Sequence, residues 1–130
     1  AIFYAKNPYD GIILDNLPTN NRPFHILLSL YSLVENKTYP LTFTFYDPDM
    51  DIISEIKIPL TYISNPPKGK KATGAITVNI KSKNISFTKE GVHKIKIELF
   101  DPSDNARITK YIEFPVFLKS KKEGKTNEQG

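Results

Sequence analysis

The sequence predicts an all-β domain, an antiparallel two-sheet β-sandwich of seven to eight strands. Three observations carry this. Apolar residues alternate with polar ones at a period of two along most of the chain, turn-forming residues punctuate it at short intervals, and the intervals between them leave no room for a crossover helix. The 130 residues make one ordinary domain. With 39% hydrophobic residues, eight Phe and seven Tyr, the chain can bury a core of its own.

The first apolar stretch, Phe24 to Val34, supports two readings. His25, Ser29, Ser32 and Asn36 recur at helical spacing behind Pro23, whereas a strand would put Phe24, Ile26, Leu28, Leu30 and Val34 on one face. Agreement with its neighbours favours the strand. After it, Leu41, Phe43 and Phe45 alternate, then Ile56, Ile58, Leu60 and Tyr62, and then Ile76, Val78 and Ile80. Ile85 with Phe87, the run Ile95, Ile97 and Leu99, and the run Ile108, Ile112, Phe114, Val116 and Leu118 complete the set. Asp47-Pro48, Asn65-Pro66-Pro67, Lys89-Glu90-Gly91 and Asp101-Pro102-Ser103-Asp104 separate them, all of it turn chemistry. Phe45-Tyr46-Asp47-Pro48 and Leu99-Phe100-Asp101-Pro102 echo each other, as two hairpins of one common kind do. Residues 1–118 are expected to form the single domain. Residues 119–130 lack apolar side chains and are expected to be a flexible basic C-terminal tail.

Seven or eight short strands fit an immunoglobulin-like sandwich, although the Cys, Trp, Cys spacing of classical immunoglobulin domains is absent. The order Phe24-His25-Ile26-Leu27, Leu41-Thr42-Phe43 and Asn79-Ile80-Lys81 through Phe87-Thr88-Lys89-Glu90-Gly91-Val92-His93-Lys94-Ile95-Lys96-Ile97 resembles an uncharacterised bacterial and phage-associated family of small β-sandwich proteins. The resemblance covers residues 24 to 118 and implies a fold but no activity.

Charge is uneven. Residues 1–66 hold four basic and seven acidic side chains, whereas residues 67–130 hold fourteen basic and seven acidic. The excess sits in Lys68, Lys70 and Lys71, in Lys81, Lys83, Lys89, Lys94 and Lys96, and in the tail. Lys94 and Lys96 flank Ile95 and read as the solvated face of a strand that resists edge pairing.

Zero cysteines exclude a disulfide framework, thiolate catalysis, Cys-ligated zinc and iron–sulfur centres. No apolar run approaches the roughly 18 to 20 residues of a membrane-spanning helix. The start, Ala1 to Lys6, lacks the pattern of a secretory signal, so the cytoplasm is the expected location. Asp47, Asp49 and Asp51 have the alternate spacing that opens an EF-hand loop. Ile52 and Ile58 stand where that loop needs Gly and Glu, so a hairpin turn is expected instead. In an immunoglobulin-like topology the Asp47 turn and the turn with Asp101 and Asp104 lie at opposite ends and cannot share an ion. His93 and His25 read as packed, hydrogen-bonded histidines rather than general bases. No serine lies in a Gly-x-Ser-x-Gly elbow, and no phosphate-binding glycine loop exists. Asn36-Lys37-Thr38 and Asn84-Ile85-Ser86 match the glycosylation triplet, a pattern frequent by chance. The expectation is a non-catalytic protein-binding or assembly module without cofactor, metal or membrane attachment, whose partner is another protein or a second copy. The alternative is weak nucleic-acid binding through the Lys68–Lys71 loop and the C-terminal tail.

Overall fold

The computed structural model describes residues 2–6 and 11–119. Its elements are β1 (Ile2–Lys6), β2 (Ile12–Leu14), β3 (Thr19–Tyr31), β4 (Thr38–Tyr46), β5 (Ile52–Thr61), β6 (Ile76–Phe87), β7 (Gly91–Asp101) and β8 (Ala106–Leu118). They form a three-stranded sheet in the order β1-β3-β6 and a five-stranded sheet in the order β2-β8-β7-β4-β5. Among the described residues no helix is long and apolar enough to cross a membrane.

Alternation decides which face each strand buries. On β7, His93, Ile95, Ile97 and Leu99 are fully buried while Lys94, Lys96 and Glu98 point outward. Phe24, Ile26, Leu28 and Leu30 of β3 and Leu41, Phe43 and Phe45 of β4 are buried in the same way. The two sets meet. The Phe24 ring lies 5.7 Å from Phe45 and 4.8 Å from Phe114 of β8, so the core fills the space between the sheets. Each such side chain contributes about 1.5–3 kcal/mol of burial.

Four features differ from the sequence reading. The stretch from Phe24 is the strand that the sequence favoured, but it ends at Tyr31, short of Val34. Ser32 then adopts a positive φ of 61°, which turns the chain so that Leu33 is buried and Val34 is 57% exposed instead of joining the strand's face. Ile76 to Phe87 is one strand rather than two, with register shifts opposite Arg22 that absorb the break in alternation. Two short strands, β1 and β2, were not evident from periodicity. Finally, pairing is not wholly antiparallel, because β2 runs parallel to β8 with Ile12 opposite Val116. A crossover helix is needed only when parallel neighbours are close in sequence; here the rest of the domain is the connection. Of the basic tail, residues 120–130 lie outside the described residues, and the Lys119 amide donates to the Leu14 carbonyl at 2.7 Å.

Candidate functional site

The acidic turn resolves into a capped hairpin. One carboxylate oxygen of Asp47, Oδ1, accepts the amides of Asp49 at 2.8 Å and Asp51 at 3.0 Å, and the Met50 amide donates to the Asp47 carbonyl at 2.9 Å. Met50 takes a positive φ of 68°, the left-handed residue of a three-residue hairpin loop. Lys89 reaches in from the β6–β7 connection, 3.3 Å from Asp47 and in contact with Asp49. Burial pushes the Asp47 carboxyl up, but the amides of Asp51 and Asp49 and the Lys89 ammonium outweigh it and hold it below its ordinary value.

Asp101 repeats the arrangement. Its Oδ1 accepts Lys37 Nζ at 2.7 Å and the Ser103 amide at 3.1 Å, and Lys37 also contacts Ser103. The Lys37 bond, opposed by burial and helped by the Ser103 amide, holds this carboxyl below its ordinary value as well. The sequence echo therefore has a shared physical content: an aspartate caps the turn and a lysine from a distant segment neutralises it. Tyr46 pairs with Lys94 and Leu41 with Leu99, so the two turns sit at opposite ends of β7, about 23 Å apart at about 3.3 Å per residue. Among the described residues no group of three or more His, Asp or Glu is placed to hold a metal ion.

His93 is a core residue. Its Nδ1 lies 3.0 Å from the Gly91 carbonyl, which fixes the proton there, and the ring is stacked on Phe114 and meets Phe87 edge-on. Nε2 is buried and has no hydrogen-bond partner among the described residues. Burial pushes its pKa below 6.5, with the Gly91 bond opposing. His25 differs from the expectation: it is half-buried on the outer face of β3, opposite Lys81.

The lysines separate into two populations. Lys94 and Lys96 lie on β7, a central strand, so they guard no sheet edge, contrary to expectation. They pair with Glu113 at 3.6 Å and Glu98 at 3.8 Å, and Arg107 joins Glu98 at 3.5 Å. No described acidic side chain forms an ion pair with Lys68, Lys70, Lys71 or Lys81. The first three lie in the connection from β5 to β6. There Gly69, with φ of 82°, and a Lys70 amide bond to the Pro67 carbonyl at 2.9 Å close a type II turn. Beside it is a cleft of about 390 Å3 whose lining includes Ser64, Pro66, Pro67, Lys70, Lys71 and Thr73 and, among the described residues, no aromatic ring.

The sheet edges differ from one another. On one side, β1 and β2 are only five and three residues long, and β2 covers only Val116 to Leu118 of β8. Lys110, on the same face of β8 as Ile108 and Ile112, reaches toward Tyr4, its ammonium 5.9 Å from the ring. Short strands, and an exposed lysine on the part of β8 that β2 leaves uncovered, are what discourage a foreign strand. On the other side, β5 and β6 are ten and twelve residues long. Pro59 of β5 faces Pro40, so the pair is non-hydrogen-bonded and the missing Pro59 amide falls on the outer edge, blunting it. β6 carries no proline and, among the described residues, pairs only with β3. Between these two edges Ile56, Ile58, Leu60, Ile76, Val78 and Ile80 form a half-buried aliphatic seam against the core.

That seam was missed in the sequence because the edge position of a strand depends on sheet order, which is non-local. One local signal marks the region: residues 56 to 89 contain seven lysines and no Asp or Glu. No family model matches the chain, and no curated protein matches it.

Proposed function

We propose that this chain is a non-catalytic protein-binding module with an immunoglobulin-like β-sandwich fold, and that it receives an extended strand of its partner along the free edge of β6. The fold reading is supported by strand order. β1-β3-β6 corresponds to A, B and E of the A-B-E-D sheet, and β8-β7-β4-β5 to G, F, C and C′, with β2 added beside G. The D position next to β6 is then the unfilled one. The likeness to the uncharacterised β-sandwich family transfers this fold and no activity.

The observation that carries the binding reading is the contrast between edges: β6 is long, proline-free and flanked by an aliphatic seam, while β1 and β2 are short, Pro59 blunts β5, and the part of β8 that β2 leaves uncovered carries Arg107, Lys110 and Pro115. Main-chain hydrogen bonds would supply affinity and the seam would take alternate side chains of the added strand. The nucleic-acid reading has the unpaired lysines in its favour, but no ring lines the cleft beside Lys70 and Lys71 for a base to stack on.

Selection of randomised twelve-residue peptides on the immobilised chain tests this. Winning peptides should shift the backbone amides of β6, and Val78→Lys, which puts an inward charge on the seam, should abolish their binding while circular dichroism remains that of a β-protein. Winners that map to the turns or to the outer face of the five-stranded sheet would overturn it.

A further inference from the structure

Resting on the strand-addition reading, we infer that the partner strand is acidic: apolar at the alternate positions that enter the seam and Asp- or Glu-bearing at those between. Two observations meet here. The seam residues of β6, namely Ile76, Val78 and Ile80, lie opposite the buried Leu30, Leu28 and Ile26, so they share the inner face. Thr77, Asn79 and Lys81 are exposed and share the outer face. A strand laid beside β6 must obey the same alternation, since neighbouring strands present their side chains in register on each face.

Charge then selects the outer-face residues. Lys89, Lys94 and Lys96 have carboxylate partners within the fold, whereas Lys68, Lys70, Lys71 and Lys81 have none among the described residues. The acid-free run from residue 56 to residue 89 contains β6 entire and the connection that leads into it. An acidic strand places a carboxylate across from Lys81, and one end of it approaches the lysines of the connection. A second copy of β6 in the same place would set lysine near lysine, which opposes self-pairing.

The test uses the full chain, isotopically labelled, and a peptide of about nine residues in which valine alternates with glutamate, enough at about 3.3 Å per residue to cover residues 76–82. Matched peptides replace glutamate with glutamine or lysine, and polyglutamate and a single-stranded oligonucleotide serve as charge-only probes. The valine–glutamate peptide should protect the β6 amides from hydrogen exchange and bind most tightly. Lys81→Glu, an exposed change that leaves the core untouched, should weaken it about fivefold and turn the preference toward the lysine peptide. If the glutamine or lysine peptide protects β6 as well as the glutamate one, the acidic specificity is wrong while strand addition stands. If no peptide protects β6, both fail. Binding of polyglutamate or the oligonucleotide at least as tight as that of the peptide would overturn the inference in favour of a charge-only or nucleic-acid site.

Discussion

Asp47→Ala removes a buried acceptor from the amides of Asp49 and Asp51 and a carboxylate from Lys89. A hydrogen bond to a charged acceptor is worth about 1.5–3 kcal/mol. The two amides belong to exposed residues that regain some water, so the low end applies and the pair amounts to about 3 kcal/mol. Lys89 is 42% exposed and its ion pair adds less than about 1 kcal/mol. Asp47→Asn keeps Oδ1 as an acceptor and should cost about 1 kcal/mol. At about 4 °C per kcal/mol for a domain of this size, the Ala variant should melt about 12 °C below the parent and the Asn variant about 4 °C below. Scanning calorimetry with and without millimolar calcium reads both the cap and the alternative of a metal site. Calcium should leave all three melting temperatures unchanged, because Asp47 is taken up by its own turn amides and Lys89, and the described carboxylates form no group placed to hold an ion. An Ala variant within about 1 kcal/mol of the parent, or a calcium-induced rise of several degrees in the parent alone, would refute the reasoning.

Three further outcomes follow from the same geometry. Folding depresses the His93 pKa below 6.5, so the unfolded chain binds more protons, and stability should fall as pH drops below about 6.5. His93→Phe should remove that decline in pH-dependent melting and leave the lower one, near the carboxylate range, where Asp47 and Asp101 are depressed below 3.8. Gly91→Ala should destabilise by more than about 2 kcal/mol in denaturant titration, since its φ of 127° excludes a side chain and the added Cβ would sit 2.9 Å from Pro48. Tyr62→Phe should cost about 1–2 kcal/mol and raise exchange of the Gly74 amide, which donates to the buried Tyr62 hydroxyl at 2.9 Å.

The parts legible in the sequence were those set by local periodicity. Leu41, Phe43 and Phe45, or Ile95, Ile97 and Leu99, announce their buried face within five residues because a strand has only two faces to choose from. β1 and β2 escaped because β1 buries Phe3 alone among large side chains and β2 is three residues long. The parallel pairing of Ile12 with Val116 joins positions that no local window spans. The end-to-end separation of Asp47 and Asp101 followed from hairpin order. Their lysine partners did not, since Lys89 and Lys37 reach their carboxylates from distant segments. The β6 edge was hidden for the same reason: whether a strand is central or terminal is a property of the sheet and not of the strand.

The guarded side formed by β1, β2 and Lys110 also bears on stoichiometry. A head-to-tail polymer needs two complementary surfaces on each subunit, one to donate and one to accept, and closure or runaway growth depends on having both. On the proposed reading the accepting edge is β6; across the molecule β1 and β2 are five and three residues long, and Lys110 stands on the stretch of β8 that β2 leaves uncovered. Occupation of β6 would then end where it begins. The proposed complex would be one chain to one strand, a terminator rather than a link, and raising the concentration would fill more copies of it without lengthening any.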